Sequence, residues 1–526
     1  MRRQWYLGFG LILLFVFLLL VMIHHGPWML IFLVPLLLLW AYDVTQTKHA
    51  ILRNFPVLGH IRFFLEFFRP EIQQYFIADD VSERPFDRET RSIVYQRSKN
   101  IRDTIPFGTE RDIRAIGYEW ILHSLRPVPV SHVEPRIMIG GPQCKQPYSA
   151  SRLNISAMSH GAISANAILA LNEGAKLGNF YHNTGEGGLS EYHLRPGGDI
   201  TFQIGTAYFG CRDDHGNFDP EEFAKKAAYP QVKMIELKLS QGAKPSHGGI
   251  LPAAKVTQEI AAIRKVKMGE DVFSPPAHTA FSTPEELILF IQKLRELSQG
   301  KPVGFKLCMG RKTDFFAICK AMLSTQIFPD FINIDGAEGG TGAAPLEYAN
   351  HVGTPLDEGL NFAHNALIGI GARDKIKLIC SGKVATGFDI LTKMALGADV
   401  CNAARSFMMS LGCIQSKQCN ANTCPTGVAT QDKRLMKGLV IKEKKHRVLN
   451  YHNLTMHAFL ELIAAMGISN PSDIQPIHIK RRIAPDLIKT YAEIYDYFEE
   501  GCLLKPETIP IHYARHWLTA SEKHFK

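Results

Sequence analysis

From Leu153 onward, short apolar or β-branched runs alternate with stretches of helical character. Each run ends in a glycine, an asparagine or a charged residue, as strands do where they enter a loop. Helical stretches such as 163–178, 283–300 and 387–398 separate them. Eight strands divided by helices predict an α/β fold, a TIM (β/α)8 barrel over residues 151–410. The predicted strands are 153–158, 179–185, 200–205, 234–239, 303–308, 331–336, 376–382 and 399–404.

A doubly wound parallel sheet is the alternative, and it is weaker because no G-x-G-x-x-G sequence follows the first strand. Around the barrel the pattern predicts an N-terminal helical or irregular layer (46–150), a loop (411–432) and a C-terminal helical extension (433–526).

Two apolar runs stand before this layer, 6–23 and 28–42. The first is long enough to cross a bilayer, and the second, which contains Pro35, is shorter. Arg2 and Arg3 precede the pair and Lys48 follows it, so the positive-inside rule predicts a transmembrane hairpin over residues 1–45 with both ends cytoplasmic. The expected localisation is the inner membrane, with two spanning helices, lipid contact and the catalytic domain facing the cytoplasm. A cleaved signal peptide is the competing interpretation.

The composition is that of a folded protein, with 46% apolar and 21% charged residues among 526. These values exclude disorder, collagen and coiled coil as the main architecture. Lysine plus arginine exceed aspartate plus glutamate by 59 − 50 = 9. That excess is weak evidence for nucleic acid, and no nucleic-acid partner is predicted.

In a barrel, chemistry takes place at the carboxyl ends of the strands. Glycine-rich turns follow the late strands, around Gly339, Gly340 and Gly382, and Arg405 follows the last one. Such loops commonly bind phosphate, and a phosphate with a lysine nearby suits flavin mononucleotide (FMN). The predicted rim also contains Ser159, Thr184, Glu186, Gln203, Lys238, Gln241, Lys244, Lys306, Asp335 and Ser381.

Lys306 ends the fifth predicted strand, where its ammonium would favour negative charge on a reduced flavin. A salt bridge across the barrel mouth, for example to Asp335, is an equally good interpretation.

Three cysteines follow the barrel, at C-x5-C-x4-C spacing, with a proline after the last. A zinc site usually has four ligands in paired arms, whereas cysteine followed by proline is frequent at iron–sulfur clusters. Cys413, Cys419 and Cys424 therefore favour a 3Fe–4S cluster, with a 4Fe–4S cluster and a distant fourth ligand as the alternative. Buried cysteines clustered by chance remain possible.

Residues 54–431 resemble FMN-binding proteins of the glutamate synthase family, the short forms equivalent to its synthase barrel. The resemblance implies FMN, a 3Fe–4S cluster on the three cysteines, and synthesis of glutamate from 2-oxoglutarate with electrons from a ferredoxin-like donor. The matching segments are 157–164, 183–188, 239–245, 274–276, 339–343 and 413–431.

Carried over by position, Ser159, Thr184 and Gln203 correspond to flavin-contacting strand ends, and Lys306 to the lysine that faces the ring. Gly382 and the stretch around Arg405 correspond to the phosphate site. Glu186 and Lys244 are then substrate-side groups, the lysine binding a carboxylate of the oxo acid. A helix cap is the alternative role for Glu186.

The sequence departs from the family where an acid and an amide of the oxo-acid site are replaced by His247 and Ile250. The glutamine-hydrolysing domain of glutamate synthase is not part of this sequence, so glutamine is not expected to serve as nitrogen source by this chain alone. Two other functions therefore stay open, an FMN and iron–sulfur oxidoreductase acting on a different substrate and a non-catalytic electron-transfer module. A basic run over residues 433–447 is a further candidate, for docking ferredoxin or anionic lipid.

Overall fold

The computed structural model describes residues 12, 15, 16, 19, 26–101 and 103–525, with the backbone alone for 26–30. The chain divides into two compact units, Met1–Arg88 and Glu89–Lys526. The domain boundaries predicted above stay predictions.

In the first unit, short connections join the helices Gly26–Thr45, Ala50–Asn54 and Gly59–Ile72, and a π-helical turn, Gln73–Ile77, ends the last of them. The carboxylate of Asp43 is buried, accepts a hydrogen bond from the backbone N–H of Val57 at 2.8 Å and lies 3.0 Å from the His60 ring. The end of the first helix is thereby fixed to the helices that follow it.

The predicted membrane hairpin is wrong. Within 26–101 and 103–525, no helix is long and apolar enough to span a bilayer. The first predicted span, 6–23, lies outside the described residues except for four of them. The predicted localisation, inner membrane with a cytoplasm-facing catalytic domain, is corrected accordingly, and contact with lipid is unsupported.

The second unit contains the predicted barrel. Eight parallel strands close on themselves, and the last pairs with the first through Asn402 and Asn154. The TIM barrel prediction is therefore confirmed. Its strands are β1 (Leu153–Ile155), β2 (His182–Asn183), β3 (Ile200–Ile204), β4 (Val232–Lys238), β5 (Val303–Leu307), β6 (Phe331–Asp335), β7 (Lys377–Ser381) and β8 (Val400–Ala403).

Helices surround the barrel, and their ends follow local capping rules. Ser164 accepts a hydrogen bond from the N–H of Ala167, and Thr283 forms a capping box with Glu286. The surrounding helices are Ala165–Gly178, Glu191–Leu194, Pro220–Ala227, Gln258–Arg264, Pro284–Leu297, Lys312–Thr325, Leu346–His351, Leu356–Gly369, Gly387–Ala395 and Arg405–Leu411.

Further elements pack on the barrel and on its outer helices. The antiparallel strands Ile137–Ile139 and Tyr148–Ala150 pack on the amino ends of the barrel strands. The helix Ile441–Ala465 packs against Ala165–Gly178 so closely that a Cβ on Gly174 would lie 2.6 Å from Val448. The remaining elements are the helices Arg88–Ser98, Lys433–Met436, Tyr491–Ile494 and Ile511–Thr519, the strands Glu119–Ile121, Ile250–Leu251, Val272–Phe273, Ile479–Ala484 and Leu487–Thr490, and the 3-10 turns Ala253–Lys255, Arg373–Lys375, Pro471–Asp473, Pro476–His478 and Pro506–Thr508.

Candidate active site at the barrel mouth

The barrel interior changes from apolar to polar along the strands. At the amino end a closed apolar layer is formed by Tyr181, Met234, Phe331, Ile379 and Val400. Burial of these side chains stabilises the barrel without polar cost. Polar groups are thereby left to the carboxyl end, where parallel strands bring residues distant in sequence together.

The middle layer is built around the buried carboxylate of Glu236. It accepts hydrogen bonds from the side-chain amides of Asn183 at 2.8 Å, Gln203 at 2.6 Å and Asn333 at 2.8 Å. A buried charge is tolerated only with such partners. Gln203, predicted to contact flavin, therefore gives its amide to Glu236. The hydroxyl of Thr184, also predicted there, accepts from the backbone N–H of Gln203 at 3.0 Å.

Above this layer, Lys306 forms an ion pair with Asp335, Nζ to Oδ2 at 3.2 Å. Both side chains are nearly buried. Asp335 also accepts from the N–H of Gly242 at 2.9 Å and the hydroxyl of Ser381 at 2.6 Å. Burial lowers the pKa of Lys306, but the negative charges of Asp335 and Glu236 raise it by more, so the pKa lies above its usual value. The structure thus contains the salt bridge that the sequence left open.

The predicted phosphate-binding residues come together around Glu338. Arg405 donates to the backbone carbonyl of Glu338 at 2.6 Å. A Cβ on Gly340 would lie 2.8 Å from Arg405, and one on Gly382 would lie 3.3 Å from the Glu338 carboxylate. Gly339 closes the same turn, its N–H bonding to the carbonyl of Gly336 at 2.8 Å. The Glu338 carboxylate itself accepts from the first N–H of the helix Leu356–Gly369.

A small cavity opens at the mouth, between the loops after β2 and β4. Glu186 lies in its wall and pairs with Lys238, Nζ to Oε1 at 2.9 Å. Burial raises the pKa of Glu186, but Lys238, Lys244 and Arg264 lower it more, so the pKa lies below its usual value and the group is ionised at neutral pH. The cavity lining consists of Glu186, Thr206, Lys238, Leu239, Ser240, Gln241, Lys244, Ser246, Gly248 and Pro276.

Lys244 lines the same cavity, and its Nζ donates to the carbonyl of Ala343 at 2.6 Å. Burial lowers its pKa to about 8, while Glu186 raises it and Lys238 lowers it. Ser159 lies behind Glu186, where Arg264 reaches its hydroxyl at 3.4 Å and the carbonyl of His160 at 2.9 Å. The structure therefore brings Glu186 and Lys244 to one cavity, and their role as substrate-side groups stays a prediction.

The two departures from the family pattern lie near this cavity. The ring of His247 packs edge-on against Tyr348, with centroids 4.9 Å apart. Ile250 pairs with Phe273 in a two-stranded sheet. The acidic and amide groups of the family are thus replaced by an aromatic contact and an aliphatic strand residue.

Burial raises the pKa values of Cys413 and Cys419. The thiols of Cys419 and Cys424 also raise that of Cys413, and the thiol of Cys424 raises that of Cys419. Burial raises the pKa of Cys424, but the Thr426 hydroxyl, 3.4 Å from its sulfur, and the N–H groups of residues 426, 428 and 429 lower it below its usual value. In the described parts of the chain, no three His, Cys, Asp or Glu side chains are close enough to hold a single metal ion. The cluster at these thiols stays a prediction.

Several residues of the site were not predicted, or were noted only as part of the rim. Glu236 and Arg264 are the clearest cases, and Lys238 was assigned no partner. Glu236 had one sequence signal, because it is the single acid inside the apolar run 234–239. For Arg264, at the end of a helix with ordinary amphipathic character, the sequence offered no comparable signal.

Comparison with known proteins agrees with this geometry. The conserved region of glutamate synthase matches residues 128–469. The glutamate synthase large subunit-like protein YerD of Bacillus subtilis is 39% identical over 493 residues, which cover 85% of this chain and 93% of that protein. An archaeal glutamate synthase [NADPH] of Methanocaldococcus jannaschii is 34% identical over 317 residues, covering 60% of this chain and 59% of that enzyme.

A third relative is the ferredoxin-dependent glutamate synthase 2 of Synechocystis, 34% identical over 244 residues, which cover 46% of this chain and 15% of that enzyme. The chain thus spans only part of the length of the named synthases. The region that matches the family, residues 128–469, includes the whole barrel and the three cysteines. Membership of this family supports the predicted FMN cofactor. By the family match and the similarity to YerD, this chain belongs to the glutamate synthase family and is a glutamate synthase-like oxidoreductase.

Proposed function

We propose that this enzyme makes glutamate by reductive amination of 2-oxoglutarate, with electrons from a ferredoxin-like donor. The observation that supports this most is the convergence of Glu186, Lys238 and Lys244 on one cavity at the barrel mouth. The relatives' names point to different donors, NADPH in one and ferredoxin in another. The predicted cluster favours a one-electron donor here.

The residues present suit FMN. A Cβ atom on Gly340 would meet Arg405, and one on Gly382 would meet Glu338. Because glycine has no Cβ, the backbone at both positions can lie close to a bound anion. Inside the barrel, the buried Nδ2 of Asn402 and Oδ1 of Asn333 have no partner within the described residues, so a bound group would supply one. We propose that Arg405 and the two glycine turns hold the phosphate and that Lys306 lies at the ring. When bound, FMN would supply a hydride for the reduction step.

On the substrate side, the Lys244 ammonium binds a carboxylate of the oxo acid in place of the Ala343 carbonyl. Glu186 is ionised, so it takes up a proton rather than supplying one. A carboxylate in that state can accept the proton of an incoming ammonium ion, and the ammonia that is released adds to the carbonyl carbon. When Glu186 returns the proton, the carbonyl oxygen leaves as water, and the imine that forms is the group that the hydride reduces. Lys238 holds Glu186 in position for this step. The nitrogen source is then free ammonia or ammonia from a partner.

The loop over residues 411–432, called the cysteine loop below, suits an iron–sulfur cluster. Hydrogen bonds from Thr426 and from backbone N–H groups favour the thiolate of Cys424, the state in which cysteine binds iron. Each cysteine of a cluster binds a different iron, so its ligands lie farther apart than those of a single ion. We propose 3Fe–4S on Cys413, Cys419 and Cys424, with 4Fe–4S as the alternative.

One observation favours a second substrate class. Lys238 is already neutralised by Glu186, which leaves Lys244 as the cavity lysine without a carboxylate at salt-bridge distance in the described chain. With His247 and Ile250 in place of an acid and an amide, one net positive charge suits a monocarboxylic oxo acid better than a dicarboxylate.

Stopped-flow reoxidation of the reduced holoenzyme tests both. Dithionite-reduced enzyme is mixed anaerobically with ammonium and either 2-oxoglutarate or pyruvate, and flavin absorbance and amino acid product are measured. We expect rapid reoxidation and glutamate with 2-oxoglutarate, and slow reoxidation without ammonium. Lys244→Ala should abolish the response, while Lys267→Ala, at an exposed lysine, should retain it. Rapid reoxidation with pyruvate and ammonium, but not with 2-oxoglutarate and ammonium, would replace the first function by the second.

A further inference from the structure

Lys255 is a buried lysine of the second unit, which contains the barrel, and only 1% of its surface is exposed. It ends the 3-10 turn Ala253–Lys255. Its ammonium donates to the carbonyl of Ala162 at 2.9 Å. Ala162 belongs to the loop after β1 that also contains Ser159, a predicted flavin contact.

The cysteine loop is fixed to the same two segments. Asn422 donates to the carbonyl of Ala254 at 2.9 Å, next to Lys255. Gln431 donates to the carbonyl of Ile163 at 3.0 Å, and the N–H of Ser164 donates to Val428 at 2.8 Å. Lys255 therefore lies where the cysteine loop meets the loop after β1.

This ammonium lacks the usual partner of a buried cation. Within the described residues, no carboxylate forms an ion pair with Lys255, and one carbonyl satisfies only one of its three N–H groups. An uncompensated buried charge is costly. Burial lowers the pKa of Lys255 to about 8, whereas the thiols of Cys419 and Cys424 raise it.

We infer that Lys255 is a positioning residue for electron transfer, whose buried charge compensates the cysteine-held cluster and raises its midpoint potential. The inference rests on the cluster proposed above. Reduction adds one electron, and hence one negative charge, to the cluster without breaking a bond. A fixed cation nearby stabilises that added charge. The hydrogen bond from Lys255 to Ala162 joins the turn that contacts the cysteine loop to the loop after β1, which contains the predicted flavin contact Ser159.

An EPR-monitored redox titration of the anaerobic holoenzyme tests this. The variants are Lys255→Gln, which keeps a donor for Ala162 without the charge, Lys255→Met, which keeps neither, and Lys255→Arg, which keeps the charge. Lys267→Met removes an exposed charge twelve residues further along the chain and serves as the control. At a fixed potential, we expect the ratio of reduced to oxidised cluster in the Gln and Met variants to be at least tenfold lower than in the wild type. A tenfold change in this ratio corresponds to a midpoint potential lower by about 59 mV. The Arg variant and the control should resemble the wild type.

An unchanged potential in Lys255→Gln, with iron bound, would overturn the inference and leave the cluster proposal standing. If Lys255→Gln binds no iron while Lys255→Arg binds it, the charge requirement is supported. If both lose iron, shape rather than charge is decisive and the inference fails. Wild-type enzyme without iron or acid-labile sulfide would instead overturn the proposed cluster, so the two failures are distinguishable.

Discussion

Nζ of Lys238 lies 2.9 Å from Oε1 of Glu186, and the pair joins the end of β4 to the loop after β2. The side chains are 8% and 17% exposed, so solvent screens the pair only partly. The ammonium of Lys238 also donates a hydrogen bond to the side-chain oxygen of Gln241 at 2.8 Å, which fixes the lysine a second time. The carboxylate at the centre of the proposed chemistry is thus fixed in place before any substrate arrives.

This pair gives the protein a pH-dependent stability. The pKa of Glu186 lies below its usual value, so its contribution is complete above the unfolded-state pKa of about 4.3 and is lost as the pH falls through the folded-state pKa. We expect the midpoint of thermal unfolding to fall between about pH 5 and pH 3 more steeply in the wild type than in Glu186→Gln. The exposed Glu500→Gln is the control and should follow the wild type. Parallel curves for all three proteins would contradict the assignment.

The Lys306–Asp335 pair should matter for stability as well as for FMN. Lys306→Met leaves a buried carboxylate without its cation, a change that typically costs about 3–5 kcal/mol. Denaturant unfolding of the FMN-free protein measures it. The double variant Lys306→Met, Asp335→Asn removes both charges and should recover part of the loss. A double variant no more stable than the single one would show that the ion pair is not the cause.

Gly340 should be sensitive to a single methyl group. In Gly340→Ala the new Cβ would lie 2.8 Å from Arg405, which must move away from the carbonyl of Glu338. We expect FMN affinity, measured by quenching of flavin fluorescence, to fall about tenfold, about 1.4 kcal/mol. Gly342→Ala is a matched control in the same turn, because no atom lies within 4 Å of its Cβ. Equal affinities in the two variants would argue against a phosphate site at Arg405.

The sequence predicted the barrel for a physical reason. Strands buried on both faces are nearly continuous apolar runs, and β4, β5 and β7 stood out as such, whereas β2 is the polar pair His182–Asn183 and followed from the alternation with helices. The site was predicted less completely. Ser159, Glu186 and Lys244 follow from strand ends and the family resemblance, but the partners of Glu236 lie 53, 33 and 97 residues away in the chain. Only the closed barrel brings them together, so no local pattern announces them.

The membrane prediction failed for a different reason. The apolar content of the run 28–42 favours a transmembrane helix, whereas in the structure the buried Asp43 just beyond it bonds to the backbone N–H of Val57 and to the ring of His60. Those contacts join residues fourteen and seventeen positions apart, which hydropathy along the chain does not register.

Cys424 provides a direct test of the cluster. Its sulfur receives the hydrogen bonds that favour a thiolate, so Cys424→Ser should lose iron and acid-labile sulfide while FMN stays bound. Cys144→Ser is the control, since that cysteine likewise forms no disulfide but lies before the barrel. Metal and sulfide analysis of anaerobically purified protein measures the effect. Iron retained in Cys424→Ser would remove this cysteine from the ligand set.

Lys244 should make substrate binding depend on pH. Burial lowers its pKa to about 8, and only the ammonium form attracts a carboxylate. Below pH 8 the site is charged, and each further pH unit above it lowers the charged fraction about tenfold. We expect KM for the oxo acid to rise above pH 8 in the wild type while kcat changes less, because the lost interaction is one of binding. Lys244→Arg, whose side chain stays charged, should have a flat KM profile over the same range. A wild-type KM that is constant from pH 7 to pH 10 would show that another group holds the carboxylate.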